Sequence, residues 1–222
     1  MRMLSIAVRF GDGASMNKES ADLRNEGYDI MVEQCDSAEL DTDPLKLSKM
    51  LDSLASTDFV LMRAKGDMSL FNKFDVVLRR IVEVGTSAFI YCSLPEPMGE
   101  LRHLFRQRDQ DYELLKKYVL LGGYANNMGI LKWVLRTIGG QTVEVPDPTV
   151  YPAQGVYCPG QRTYDIEDYI SGIDRSRPTV GIFISQRRWR SENLGPIDEL
   201  IREIEKKEAN VLPIFFSYSE NR

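Results

Sequence analysis

The stretch SQRRWRSEN, residues 185–193, carries the densest chemistry in the chain. It leaves an apolar run that reads as a strand and sets Arg187, Arg188 and Arg190 around Trp189. A guanidinium pairs bidentately with a carboxylate, and an indole offers a flat stacking face. Together they suit a planar ligand bearing carboxylates. A basic surface loop whose tryptophan packs on the domain below explains the same residues, and the sequence leaves both readings open.

Three weaker candidates follow other apolar runs. RAKGD, residues 63–67, offers Arg63 and Lys65 to an anion at a strand end, where open parallel sheets bind ligands; a solvated glycine turn is the rival reading. LGGYANN, residues 121–127, places Gly122 and Gly123 before a helix that Asn126 or Asn127 can cap. Its glycines let the backbone approach either a ligand or a packed helix. GDG, residues 11–13, lacks the third glycine of a dinucleotide fingerprint, whose place Met16 takes, and reads as a tight turn, with a weak phosphate-binding role as the rival reading. His103 is the only histidine and stands among arginines, so no histidine-rich metal site can form. Cys35, Cys92 and Cys158 have neither zinc-finger nor redox spacing. No nucleophile–histidine–acid arrangement or paired carboxylates stand out.

These loops need a scaffold, and the pattern supplies one. Short apolar runs at residues 3–8, 28–34, 58–63 and 87–93 alternate with amphipathic segments. In residues 43–54, Leu47, Met50, Leu51 and Leu54 share one face, with Asp43 as cap and Pro44 in the first turn. Leu70, Phe74, Val77 and Ile81 repeat the spacing, and Ile130, Leu131, Val134, Leu135 and Ile138 form a later face closed by Gly139 and Gly140. Alternating strands and helices predict an α/β fold: a flavodoxin- or Rossmann-like parallel sheet with added helices over residues 1–145. Four prolines and two glycines in residues 145–161 exclude regular structure there, and residues 146–176 read as a connection. Residues 177–222 read as strand, loop, helix, strand, with Ile197, Leu200, Ile201 and Ile204 on one helix face: the βαβ opening of a second α/β unit. Two strands bury poorly alone, so they are expected to join the first sheet or to find partners beyond Arg222.

Composition bounds the function. The chain has 222 residues, 43% hydrophobic and 27% charged, and a formal charge of −5. That balance argues against broad nucleic-acid or anionic-membrane binding. No run approaches ~18 apolar residues, so no membrane span is expected, and free-cysteine usage points to the cytoplasm.

Residues 177–216 resemble the large subunits of cobaltochelatase (CobN) and magnesium chelatase (the H subunit), through Arg177, Pro178, Gly181, Trp189, Ser191, Asn193, Asn210, Val211, Leu212, Pro213 and Phe215. Gly155, Tyr157 and Pro159, then Tyr118, Gly122, Gly123 and Asn126, then Asp58, Arg63 and Gly66 are similar to further elements of that family, in order from about residue 58 onward. The resemblance implies binding of a tetrapyrrole, a corrin or porphyrin, in ATP-dependent insertion of cobalt or magnesium, with the metal as substrate ion. It implies partner AAA+ ATPase subunits that hold ATP and Mg, no tightly bound cofactor here, and a remainder of the large subunit elsewhere. The binding residues it suggests are Arg187, Arg188, Trp189, Asn193, Arg63, Gly122, Gly123 and Asn126. The family often has histidine where this chain has Arg188 and Cys158, so no metal-contacting or proton-transfer role is carried over. A segment this short is expected to be inactive alone. A non-enzymatic scaffold module and a flavodoxin-like nucleotide or flavin binder are the alternatives.

Overall fold

The computed structural model describes residues 1–9, 16–66, 68–93 and 101–217, with the backbone alone at residues 161–164. The GDG turn and Asp67 lie outside the described residues. The chain divides into two units, Met1–Thr149 and Val150–Arg222.

The first unit is a parallel sheet of β1 (Arg2–Val8), β2 (Met31–Asp36), β3 (Phe59–Ala64) and β4 (Ser87–Cys92), in the order β2-β1-β3-β4. Between them run α1 (Asn17–Asn25), α2 (Ser37–Thr42), α3 (Pro44–Ser53) and α4 (Phe74–Val84). Then come α5 (Asp109–Leu121) and α6 (Tyr124–Thr137). Successive strand side chains point to opposite faces. Met3, Phe59, Leu61 and Phe89 face a core with Leu23, Leu115, Tyr118 and Trp133. Leu4, Ile6, Val60 and Met62 face a second core with Leu40, Met50, Val77 and Ile81. With both faces covered, every residue of β3 and β4 is buried, as a parallel sheet requires. Asp43 caps α3 as expected, accepting from Leu45 N and Lys46 N at 2.9 and 3.1 Å.

Two expectations shift. The second strand begins at Met31, because residues after α1 close a turn in which Tyr28 N donates to Leu23 O at 3.0 Å. Neither Asn126 nor Asn127 caps α6. Gly123, at φ 82°, starts that helix one turn earlier and no side chain caps it. Asn126 Nδ2 donates to Gly122 O and Thr149 O at 2.7 and 2.8 Å, and its Oδ1 accepts from Thr149 N at 2.9 Å. Asn127 Nδ2 donates to Glu19 Oε1 at 2.9 Å.

The second unit holds β5 (Gln154–Cys158), β6 (Gln161–Tyr164), α7 (Ile166–Ser171), β7 (Thr179–Ser185), α8 (Gln186–Arg190), α9 (Gly195–Glu205) and β8 (Asn210–Phe216). Its mixed sheet is ordered β6-β5-β8-β7, with β7 parallel to β8 and β5 antiparallel to it. The strand–helix–strand reading of the chain's end holds. The neighbour that β8 needs is neither the first sheet nor a residue past Arg222: it is β5, inside the stretch read as irregular. The prolines there flank that strand instead of interrupting it, since Pro152 precedes it and Pro159 begins the turn to β6. Gly160, at φ 79°, makes that turn. Residues 185–193, read as a loop, contain the single helical turn α8. Ser185 Oγ caps it, accepting from Arg188 N at 3.3 Å.

Candidate functional site

In the second unit a cleft of about 330 Å³ opens beyond the carboxyl end of β7. Tyr151, Tyr157, Trp189, Arg190, Glu192 and Asp198 line it. The sequence places them by simple means. Ser185 ends the strand and caps α8, so Trp189 falls on the turn's inner side, 6% exposed. Its indole stacks on Phe215 of β8, ring centroids 3.9 Å apart and planes 2° apart. Tyr151 meets the indole edge-on at 5.7 Å. From β5, Tyr157 shares a sheet face with Phe215, because its neighbour Gly155 pairs directly with that residue. Its hydroxyl donates to Asp198 Oδ1, in the first turn of α9, at 2.6 Å. Burial, and then this bond, push the Tyr157 phenol far above its ordinary range, so it stays a donor.

Arg190 is half-buried. Burial, and then the positive charge of Arg187, pull its pKa below the usual guanidinium value. Glu192 holds a left-handed backbone conformation at φ 57°, unusual for a residue with a side chain. The cleft thus joins an aromatic wall, one guanidinium and two carboxylates, one of them already accepting from a tyrosine. Its volume lies at the low end of the ~300–1,000 Å³ usual for ligand pockets.

The other residues singled out from the sequence are dispersed. Arg187 and Arg188 share the turn with Trp189 but are exposed, as is Asn193. Arg63, Gly122, Gly123 and Asn126 belong to the first unit. Arg63 is 3% exposed beneath α1 and donates to Ser5 Oγ at 3.4 Å. Burial brings its pKa down to about 10, partly offset by the charge of Glu19. In the following loop, Gly66 N donates to Ser93 Oγ at 2.7 Å. Gly122 and Gly123, both at positive φ, form the turn between α5 and α6. The sequence reading passed over Tyr151, Tyr157 and Asp198 as site residues. Tyr157 had a signal, its place with Gly155 and Pro159 in an element similar to the chelatase family; Tyr151 and Asp198 had none. Among the described residues no group of three or more His, Cys, Asp or Glu could hold a metal ion, and no helix is long and apolar enough to cross a membrane.

Residues 116–222 match the profile of the CobN/Magnesium Chelatase family. An uncharacterized protein of Methanocaldococcus jannaschii is 27% identical over 110 residues, 47% of this chain and 9% of that protein. The whole chain superposes on the catalytic subunit of cobaltochelatase from Mycobacterium tuberculosis with a TM-score of 0.66 and 17% identity, covering 17% of that subunit. The chain therefore spans a small fraction of either protein, and with the second it shares its α/β fold. The stretch that matches the CobN/Magnesium Chelatase family, residues 116–222, includes every strand and helix that shapes the cleft.

Proposed function

We propose that the chain is a tetrapyrrole-contacting segment of the large subunit of an ATP-dependent metal chelatase, acting on a corrin or a porphyrin with cobalt or magnesium as substrate ion. The family match over the residues that build the cleft carries this reading. Trp189 and Tyr151 give a flat apolar wall for the ring edge, and Arg190 gives a cation for a carboxylate arm. The chain supplies positioning, while metal insertion needs the remainder of a large subunit and AAA+ ATPase partners that bind ATP and Mg, in the cytoplasm.

The test is a titration with a porphyrin and with a corrin, followed in the pigment's visible and Soret bands. Binding is expected to shift the bands, and Arg190→Ala to weaken it by about 10- to 100-fold, the worth of a charged hydrogen bond of roughly 1.5–3 kcal/mol. No shift with either pigment would overturn the proposal.

Arg187 and Arg188 favour a second role. Both are exposed on the capped turn of α8, outside the cleft lining. Two cations on a rigid turn suit docking of an acidic protein surface, as an assembly module would require. Capture of the ATPase subunits that is lost in the Arg187→Ala/Arg188→Ala variant, with pigment binding intact, supports this role; capture that ignores both substitutions removes it.

A further inference from the structure

The aromatic stack behind the cleft rests on a residue that has no side chain. Gly155 of β5 pairs with Phe215 of β8, and the register runs without a bulge from Gln154 to Val156. Glycine inside a strand weakens it and marks a bulge, a tight bend or a close approach. No bulge falls at this pair, and the φ of Gly155 is not positive, so its backbone would accept another residue. What excludes a side chain is Phe215. A β-carbon at Gly155 would stand 2.7 Å from Cζ and 2.9 Å from Cε1 of that ring, whereas carbons in contact sit about 3.5–4.0 Å apart. The ring leans over the glycine, a cross-strand arrangement in which an aromatic covers bare backbone. It is fully buried, and the Trp189 indole lies on it at 3.9 Å with planes 2° apart. Arg190 follows Trp189 in the same five-residue turn.

From this contact we infer that Gly155 is a positioning residue of the cleft: its missing side chain lets Phe215 settle on β5, and Phe215 sets where Trp189 and Arg190 stand. The step from Phe215 to Arg190 follows from packing. A buried ring with an indole flat against it has no void to move into, and close-packed interiors pass such a displacement on. α8 is one turn, capped by the single oxygen of Ser185, so it shifts with its tryptophan. The facing wall is held separately, by the bond from Tyr157 to Asp198 at 2.6 Å. One methyl at Gly155 thus changes the spacing of the cleft without adding or removing a group that lines it. The consequence for ligands rests on the reading of this cleft as the pigment site; the geometry does not.

Three variants test the inference: Gly155→Ala, Phe215→Leu and the two together. Acrylamide quenching of tryptophan fluorescence reads the geometry without pigment, since Trp133 is fully buried while Trp189 is 6% exposed and lines the cleft. Gly155→Ala is expected to raise quenching and to weaken pigment binding by roughly tenfold, the effect of a small misplacement of a binding group. In the Phe215→Leu background, where no ring opposes the added carbon, Gly155→Ala is expected to change neither reading, and this non-additivity is the mark of action through the ring. A merely weakened strand would give the same loss in both backgrounds, which overturns the inference. So does a Gly155→Ala protein with the quenching and affinity of the parent, or with altered quenching and unaltered affinity. Should Gly155→Ala fail to fold, Phe215→Leu decides alone: it must raise quenching and weaken binding, and parental values overturn the inference. If pigment binds neither the parent nor any variant, the proposed function falls, and the quenching comparison still supports or overturns the positioning role.

Discussion

Two arginines, Arg63 in the first unit and Arg190 in the second, differ in what surrounds a charge drawn away from water. Burial lowers the pKa of both. Around Arg63 the next influence is Glu19, an opposite charge on α1; Arg63 donates to Ser5, and Asn127 donates to Glu19. Around Arg190 the next influence is Arg187, a like charge, and the side chain borders an open cleft. The first arrangement neutralises a charge inside a sheet whose two faces are covered. The second concentrates positive charge where a ligand can enter. Removing the acceptor of a buried donor costs that donor's desolvation, whereas a half-exposed cation rehydrates.

The largest expected effect is therefore in the first unit. Glu19→Ala should cost about 1–3 kcal/mol of unfolding free energy, because it removes the acceptor of the buried Asn127 amide, and Glu19→Gln, which keeps an acceptor oxygen, should cost less. Arg190→Met should change stability by less than about 1 kcal/mol while weakening pigment binding. Urea denaturation followed by circular dichroism measures all three. Equal losses from Glu19→Ala and Arg190→Met would erase the distinction between the two sites.

A smaller effect concerns the carboxylate under Trp133, which is fully buried. Asp111 accepts from Trp133 Nε1 and Arg108 Nε, both at 2.9 Å. Burial pushes its carboxyl up, but these bonds outweigh burial and hold it below the usual aspartate value of 3.8. A depressed folded pKa contributes stability that is present above 3.8 and lost as pH falls through the folded value. Unfolding free energy of the first unit should decline with acid in that window, and Asp111→Asn should flatten the decline. The protein has two tryptophans, one per unit, so Trp189→Phe leaves Trp133 fluorescence as the reporter. An unchanged acid slope in Asp111→Asn would show that the carboxylate carries none of it.

Most of the first sheet was legible because β1, β3 and β4 are apolar runs, and α3 and α4 carry apolar residues at helical spacing. The helix α1 was not. NKESADLRN holds a single large apolar residue, Leu23, and its remaining buried positions are Glu19 and Ser20. No periodicity marks a helix whose inner face is polar. The same polarity hid the setting of Arg63, whose charge is offset in part by Glu19, 44 residues earlier in the sequence. In the second unit, Trp189 was found by residue type. The cleft around it was not, because Tyr151 and Tyr157 belong to a stretch whose prolines masked β5. Backbone pairing between β5 and β8 joins residues about 60 apart, from Gln154 to Phe216, and local pattern does not encode such a distance.

The smallest effect tests how locally the two units were specified. Asp43 at the start of α3 and Ser185 at the start of α8 both cap a helix through a side-chain oxygen. Asp43 accepts two backbone N–H groups and heads ten residues on the rim of the first unit; Ser185 accepts one, at 3.3 Å, and heads the five-residue turn that carries Trp189. Losing a cap costs about 0.5–2 kcal/mol of helix stability. For Asp43→Ala that loss should appear wholly as a lower urea midpoint, with pigment binding unchanged. For Ser185→Ala the midpoint should barely move, because the indole stacked on Phe215 still holds the turn. Pigment affinity should fall instead, by about twofold to tenfold, as Arg190 loses the fixed turn that aims it. A Ser185→Ala protein that binds as tightly as the parent would mean that the aromatic stack alone sets the geometry of the cleft.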